Sequence, residues 1–379
     1  MSGVAPSDVG RRASLHFSWT EHCLERSLSD THALPHSRTP GDVVLANLER
    51  LSTELQAFVQ FDRSHPRTMT GLVRKTGYYC ERSFAANSPI HSLSVSDDGR
   101  LAIGLRNKRV LLTSCRDPIE GLELTSHSGS LCCVELLPAG RLVTSSMDCS
   151  TLVWAPGKDG ALEATPIPWA KRQVNSFQIL PGDRLVAACD DGVVRIGHFQ
   201  GEACEELRTV SSGPLAPVHC VLALRDGRIL AGRDDGAVAQ WSLAHRSSQV
   251  TGFMVDSSRL INAIGVLSSG AVLTGGTSDG LLLHRFSPGS HASSHRLSPN
   301  GAGWVTCLQV LPDDDVVFGT TQGVVWRYST ETGLCEALYD SEGIIRAVQM
   351  MPDGRIFVGG DKGTVYVLDG EPVGRGNGC

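Results

Sequence analysis

One pattern of hydrophobic and polar positions occurs seven times along the chain. In each seven-residue copy, places 1, 4 and 6 are mostly apolar, and place 3 is always Ser, Cys or Ala. The copies are IHSLSVS at 90–96, LCCVELL at 131–137, VNSFQIL at 174–180, VHCVLAL at 218–224, INAIGVL at 261–267, VTCLQVL at 305–311 and IRAVQMM at 345–351. Successive copies start 40 to 44 residues apart. Short apolar runs bounded by turn residues predict β-strands.

The fourth copy shows which elements follow each strand. After the strand Val218–Leu224, a turn at 225–228 leads to a second strand, Ile229–Gly232. A turn at 234–236 then leads to a third strand, Ala237–Leu243. Both turns contain Asp-Gly, in which positive φ angles cost little, so they favour tight hairpins. Each unit is therefore predicted to be a three-stranded meander of about 25 residues.

About 15–19 residues separate each meander from the next, which is room for a fourth strand. The candidates are Leu122–Thr125, Ala161–Thr165, Glu205–Val210, Gln249–Met254, Ser294–Leu297 and Leu334–Tyr339. Four strands in a repeat of about 40–45 residues are typical of a β-propeller blade. The seventh unit ends without a fourth strand, and the segment Tyr78–Phe84 has the composition and position to supply it. We therefore predict an all-β, seven-bladed propeller over 78–369 whose ring is closed by an N-terminal strand, which removes an exposed sheet edge.

The segments outside the repeats have a different composition. Residues 1–40 are rich in Ser, His and Arg without periodicity, which predicts a disordered tail, and the Gly-rich residues 370–379 predict a flexible one. Residues 41–62 carry apolar side chains at helical spacing, which predicts an amphipathic helix, with a linker at 63–77. This helix has two interpretations: packing on the rim of the propeller, or docking of a partner through 43–59.

Composition narrows the class of protein and its partners. The net charge of −6 argues against nucleic acid as the main partner, since non-specific binding to phosphates needs a basic surface. No apolar run is long enough to span a bilayer, and no Sec-type signal peptide begins the chain. Cys133, Cys220 and Cys307 occupy the small place 3, so we interpret them as core residues rather than disulfide partners or metal ligands. Twelve cysteines without a C-x-x-C pair favour the cytosol.

The second unit resembles the WD40 repeat. Ser126-His127, Ser146, Asp148 and Trp154 are similar to the His, Ser, Asp and Trp that form a hydrogen-bonded tetrad within a WD40 blade. Most other units lack the Gly-His pair, and none ends in Trp-Asp. The resemblance implies a seven-bladed, WD40-like propeller that serves as a platform for other proteins and is not itself an enzyme.

On a WD40-like blade, the loop leading into the first strand and the turn between the second and third strands share one end of the disc. Polar and aromatic residues at that end predict a surface that binds proteins or peptides. Its members are His91, Arg106, Lys108, His127, Trp169, Lys171, Arg172, Asn175, His219, Arg233, Arg259, Asn262, Trp304, Thr306, Arg346 and Lys362.

No motif predicts a catalytic residue, a metal site or a cofactor. The aspartates at positions 148, 190, 191, 234, 235, 279 and 361 mostly stand beside Gly in turns, which accounts for them without a cation. A non-catalytic interaction platform is the main functional prediction. Two alternatives remain: a bacterial effector secreted without a Sec-type signal into a host cell, favoured by the N-terminal tail and only five lysines, and a propeller enzyme with a small-molecule pocket on the axis.

Overall fold

In a computed structural model, the described parts of the chain contain strands, turns and bends but no helix. They are residues 78–96, 98–115, 121–169, 172–200, 203–211, 216–242, 251–254, 260–277, 280–285, 293–341, 343–351 and 353–370. The tail predicted over 1–40, the helix over 41–62 and the linker over 63–77 lie outside these residues, as do 371–379. Within them, no helical segment has the length and hydrophobicity of a membrane span.

The described residues form 28 strands, which assemble into seven four-stranded sheets. The first strand is β1 (Tyr78–Ala85). Blade 1 contains β2 (Ile90–Val95), β3 (Arg100–Leu105), β4 (Val110–Ser114) and β5 (Leu122–Leu124). Blade 2 contains β6 (Leu131–Leu136), β7 (Leu142–Ser146), β8 (Thr151–Pro156) and β9 (Leu162–Pro166). Blade 3 contains β10 (Val174–Leu180), β11 (Arg184–Cys189), β12 (Val193–Gln200) and β13 (Ala203–Ser211).

The remaining four blades repeat the same order of strands. Blade 4 contains β14 (Val218–Ala223), β15 (Arg228–Arg233), β16 (Ala237–Ser242) and β17 (Thr251–Met254). Blade 5 contains β18 (Ile261–Val266), β19 (Val272–Gly276), β20 (Leu281–Arg285) and β21 (Ser293–Arg296). Blade 6 contains β22 (Val305–Val310), β23 (Val316–Thr320), β24 (Val324–Tyr328) and β25 (Cys335–Asp340). Blade 7 contains β26 (Ile345–Met350), β27 (Ile356–Gly360) and β28 (Thr364–Gly370), with β1 as its outer strand.

The seven sheets close into a ring around an axis. The first strand of each blade contacts the first strand of the next, and β26 of blade 7 contacts β2 of blade 1. Strand β1 pairs antiparallel with β28, from Tyr78 opposite Gly370 to Ala85 opposite Thr364. The structure therefore confirms the predicted all-β propeller of seven four-stranded blades closed by an N-terminal strand.

Small residues on the second strand of a blade make room for the next blade. A Cβ on Gly319 would lie 2.3 Å from Cγ2 of Ile345, the place-1 residue of blade 7. Cys307, at place 3, pairs with Gly319 across the sheet, and its Sγ would lie 2.9 Å from the same Cβ. Glycines in the equivalent position meet the place-1 side chain of the following blade in four further cases, which are Gly104, Gly232, Gly275 and Gly359. Place 3 is small because two blades meet there at interior packing density.

The inner edge of each first strand has no neighbouring strand, and side chains of the preceding blade cover it in several blades. The amide of Gln178, at place 5, donates to the Ala223 carbonyl of blade 4 and accepts from the Ala223 N–H. Gln309 forms the same pair of bonds with Met350 of blade 7. In blade 1, the Ser94 hydroxyl accepts from the Leu136 N–H of blade 2 at 3.0 Å. These bonds satisfy backbone groups that an open edge would leave unpaired.

Candidate interaction face

One end of the ring, here called the upper face, is where the innermost strands begin. In all seven blades, the residue after the second strand donates its N–H to the carbonyl of the residue before place 1, at 2.9–3.1 Å. The donor and acceptor pairs are Arg106 and Pro89, Met147 and Ser130, Asp190 and Gln173, Asp234 and Pro217, Thr277 and Leu260, Thr321 and Trp304, and Asp361 and Ile344. The loops and turns that the sequence assigned to one end of the disc therefore lie together. The opposite end, with the turns between first and second strands, is called the lower face.

The place-2 residues predicted to bind partners sit in a β-bulge. Every innermost strand has a register shift between places 1 and 3. A bulge re-aims the extra residue's side chain. Here it brings four side chains to the place-1 carbonyl of the next blade: His91 to Leu131, Asn175 to Val218, Asn262 to Val305 and Thr306 to Ile345. These half-buried residues tie blades together at the mouth of the ring.

Three place-2 side chains also contact an Asp in the second turn of their own blade. Arg346 Nε donates to Asp361 Oδ1 at 3.0 Å, and Asn175 Nδ2 donates to Asp190 Oδ1 at 3.3 Å. His219 Nε2 lies 3.4 Å from Asp234 Oδ1. Sequence reasoning assigned these aspartates to turns only. The constant separation of 15 residues from place 2 is the signal that could have paired them.

Three of the residues predicted to contact partners are buried. Trp169 is only 8% exposed and packs in the core between blades 2 and 3, where its ring fills the space above Gly197. Arg233 is 6% exposed, and its guanidinium donates to Asp235 at 2.7 Å. His127 is also buried. The partner-binding prediction is wrong for these three because each side chain is enclosed by its own blades.

His127, Asp148 and Trp154 do join in one network, but through Thr144 and Ser150 rather than Ser146. Trp154 Nε1 donates to Thr144 Oγ1 at 2.9 Å, and Thr144 Oγ1 lies 2.7 Å from His127 Nε2. His127 Nδ1 lies 2.8 Å from Ser150 Oγ, which donates to Asp148 at 2.5 Å. Ser150 donates its only hydroxyl hydrogen to Asp148, so its oxygen accepts from His127 Nδ1–H. In a neutral imidazole, Nε2 then accepts from the Thr144 hydroxyl, and the donors run in one direction from Trp154 to Asp148.

The prediction of Ser146 in this network was wrong, because Thr144 and not Ser146 stands at the strand position within reach of Trp154. Thr144 lies two residues earlier on the same face of β7, nearer to Trp154, which pairs opposite Leu142. Ser146 stands at the end of the strand, where its hydroxyl accepts from the Asp148 N–H at 3.2 Å.

The pKa shifts of His127 and Asp148 are consistent with a neutral imidazole in this network. Burial lowers the pKa of His127, although the nearby Asp148 raises it in part. Desolvation raises the pKa of Asp148, but hydrogen bonds from Ser150 and the Ser128 N–H outweigh it and hold the pKa well below its usual range. The network is therefore a neutral histidine beside an ionised aspartate at neutral pH.

The accessible part of the predicted surface concentrates on blades 6, 7 and 1. We call it the basic arc, and it consists of Trp304, Arg346, Lys362, Arg106 and Lys108. Trp304 is half-buried with its backbone held by Thr321, whereas Lys108 and Lys362 are exposed. The His91 side chain is close to Arg346. Its burial, and after that the positive charge of Arg346, lower the pKa of its imidazole to about 4, so that it is neutral at pH 7.

The other predicted residues lie apart from this arc or outside the described chain. Arg172 is exposed on blade 3, and Asn175, His219 and Asn262 are half-buried on blades 3, 4 and 5. Lys171 and Arg259 fall outside the described residues. In the part of the chain that the structure describes, no three His, Cys, Asp or Glu side chains form a group that could hold a metal ion.

Comparison with known proteins bears on the blade that carries the Trp154 network. The family model for the WD40 repeat (WD domain, G-beta repeat) matches residues 120–155, which include His127, Thr144, Asp148 and Trp154. The ring has the fold of a seven-bladed β-propeller, and its second blade matches the WD40 repeat. The crystal structure of the WD40 beta propeller domain of Doa1 is similar to it, with a TM-score of 0.65 and 17% identity over 78% of this chain and 98% of that chain. A search of curated proteins found no match.

The other blades of the ring show why the WD40 pattern is strongest in blade 2. In blade 4, Trp241 takes the register position of Trp154, but Ala231 replaces the threonine, and the buried Trp241 Nε1 has no hydrogen-bond partner among the described residues. In blade 5, His284 takes the place of the tryptophan and lies 2.8 Å from Thr274 Oγ1. Blade 5 thus keeps the contact between a threonine hydroxyl and an aromatic ring nitrogen, with histidine in place of tryptophan.

Proposed function

We propose that this WD40 propeller is a non-catalytic platform that binds protein or peptide partners on the basic arc of its upper face. Trp304 carries the proposal: it is a half-exposed tryptophan just before the innermost strand of blade 6, and the next blade, blade 7, carries Arg346 and Lys362 on the same face. Tryptophan and arginine are the residues that contribute most binding energy at protein interfaces. The ion pair with Asp361 holds Arg346 in place, so that little side-chain entropy is lost on binding.

The charges of the arc favour an acidic partner segment. Arg106, Lys108, Arg346 and Lys362 contribute four positive charges, and Asp361 contributes one negative charge, which leaves a net charge of +3 among these residues. Complementary charge speeds association and fixes register more than it raises affinity. An acidic peptide with an apolar residue for Trp304 fits this surface, whereas the overall charge of −6 disfavours nucleic acid.

Selection from a random peptide library against the intact protein tests the proposal without a known partner. We expect enrichment of acidic peptides, with binding lost in Trp304→Ala and weakened in Lys362→Glu. Arg225→Glu is the matched control, because it makes the same charge reversal at an exposed position of the lower face. No enrichment, or peptides that bind Trp304→Ala as well as the unmodified protein, would overturn it.

We also propose that the protein works in a reducing cytosol. The ten cysteines of the described residues are all free thiols, which supports that compartment. Whether it is the cytosol of a host cell depends on residues 1–40. A reporter fused to those residues tests this, since export of the reporter would support secretion and retention would remove it.

A further inference from the structure

Two exposed lysines of the basic arc stand on either side of one buried serine, where blade 7 meets blade 1. Gly363, next to Lys362, packs on the backbone of Ser88, since a Cβ on this glycine would lie 2.7 Å from the Ser88 carbonyl oxygen. On the other side, the N–H of Asn107, next to Lys108, donates to Ser88 Oγ at 3.1 Å. Each lysine is therefore one residue, about 3.8 Å, from a contact with the same serine. Flexible four-carbon stems let both ammonium groups reach one ligand group above it.

Lys108 holds a backbone conformation that other blades give to glycine. Its φ is 75°, in the left-handed region that is unfavourable for a residue with a Cβ. Its N–H donates to the carbonyl three residues earlier, and the residues that make the same bond in four other blades are Gly192, Gly236, Gly323 and Gly363. The turn is held from both sides, because Asn107 bonds Ser88 and the Ser130 hydroxyl donates to the Arg106 carbonyl at 2.8 Å. A strained residue on a fixed, exposed turn points to a use for its side chain.

Neither of these lysines forms an ion pair with a described residue. The acidic side chains on the neighbouring strands and turns are already paired, Asp361 with Arg346 and Glu123 with Arg109. The two ammonium groups therefore leave two positive charges for a ligand. A carboxylate carries one negative charge, whereas a phosphate monoester carries about −1.5 to −2 at pH 7 and has three strong acceptor oxygens. The phosphate monoester is the better match, and lysine is a common phosphate ligand.

We propose that the junction of blades 7 and 1 binds the phosphate of a phosphorylated serine or threonine in a partner peptide, with Lys362 and Lys108 as its ligands. Asn87 is exposed on the segment between the two turns, with φ at 57°, and its amide supplies further N–H donors there. The net charge of −6 disfavours an anionic membrane as the source of the phosphate. This inference rests on the proposed function, because it names the group by which a partner contacts the basic arc.

Capture of the intact protein on three immobilised degenerate peptide libraries tests the site. The libraries are identical except for one central residue, which is phosphoserine, glutamate or serine. We expect the phosphoserine library to retain about five times as much protein as the glutamate library, because the second negative charge adds one exposed ion pair. Lys108→Gln and Lys362→Gln should each reduce this preference, and the double variant should lose it. Lys158→Gln, an exposed lysine in the turn between β8 and β9, is the matched control.

The backbone of Lys108 gives a second readout. Lys108→Gly should fold with an unchanged or higher melting temperature, because glycine adopts this φ without strain, and yet it should reduce the phosphoserine preference. Cys149→Gly changes the same turn position of blade 2, where φ is 63°, and should keep the full preference.

Equal capture on the phosphoserine and glutamate libraries would overturn this inference and leave the proposed function standing. An undiminished preference in the double lysine variant would also overturn it, as would capture by vesicles that contain phosphatidylinositol 4-phosphate without capture by the phosphoserine library. No capture on any of the three libraries would overturn the inference and the proposed function together.

Discussion

Gln349 of the last blade holds Val95 of the first blade, 254 residues away along the chain. The Val95 N–H donates to Gln349 Oε1 at 2.8 Å, and Gln349 Nε2 donates to the Val95 carbonyl at 3.3 Å. We expect Gln349→Ala to lower the free energy of unfolding by about 1–3 kcal/mol, because it leaves two backbone groups of the inner edge unpaired. Urea denaturation measures this change. Gln322→Ala, in an exposed turn, should change stability by much less, and an equal effect of both variants would contradict the role of Gln349 in closure.

Strand β1 also closes the ring, as the outer strand of blade 7, and its removal tests this role. A chain that begins after Ala85 lacks the partner of β28, so its melting temperature should fall and the exposed edge should promote self-association. A chain that begins at Tyr78 keeps the strand and is the matched control. Thermal unfolding with analytical ultracentrifugation compares the two, and equal melting temperatures would contradict closure by β1.

Contact between Gly319 and Ile345 predicts an overpacking effect. Gly319→Ala places a Cβ against Ile345 and should destabilise the protein by about 1–3 kcal/mol. Ile345→Ala alone also destabilises, because it empties a core position. In a double-mutant cycle, the double variant should lose less stability than the sum of the two single variants, since the smaller side chain makes room for the added methyl group. Simple additivity would count against a direct contact.

Blade 2 should unfold more easily when Thr144 loses its hydroxyl. Thr144→Val keeps the shape but leaves the Trp154 Nε1–H and His127 Nε2 without a partner inside the blade. We expect a loss of about 1–3 kcal/mol in chemical denaturation. Thr144→Ser retains the hydroxyl and should recover part of that loss, whereas identical values for the Val and Ser variants would show that the network contributes nothing.

Stability should fall as the pH drops below neutrality. Burial lowers the pKa of His284 from 6.5 to about 4, so between these values the unfolded chain binds a proton that the folded chain does not. The free energy of unfolding therefore decreases as the pH falls from about 6.5 to about 4. In His284→Gln, the free energy of unfolding should decrease less steeply over this pH range. Denaturation at each pH measures the difference. His295→Gln, the same substitution at an exposed position, is the matched control.

The sequence predicted the repeating elements well because one pattern of apolar and small residues recurs in every blade. Predicted fourth strands such as Leu334–Tyr339 agree within about one residue with the observed Cys335–Asp340. Even the strand taken from upstream of the first blade was placed correctly, because the seventh unit visibly lacked one. Local patterns were sufficient where each repeat could be compared with six others.

Site residues were harder to predict because their exposure depends on contacts between repeats. Trp169 is buried because Gly197, on another strand, leaves a space for its ring, and one sequence does not show that they meet. Arg233 is enclosed and pairs with the partly exposed Asp235, although its predicted position in a turn indicated exposure. The bulge at place 2 does have a signal in the sequence: apolar places 1 and 4 stand three residues apart, whereas side chains on one face of a regular strand recur every two.

The glutamine side chains that cover inner edges all reach in the same direction around the ring. Gln178 serves blade 4, Gln309 serves blade 7 and Gln349 serves blade 1, so in these three pairs the inner edge is covered by the blade that precedes it around the ring. Loss of one of these glutamines would therefore expose the inner edge of the following blade and not that of the preceding blade. Amide hydrogens of the first strand downstream of a lesion would exchange with solvent before those upstream.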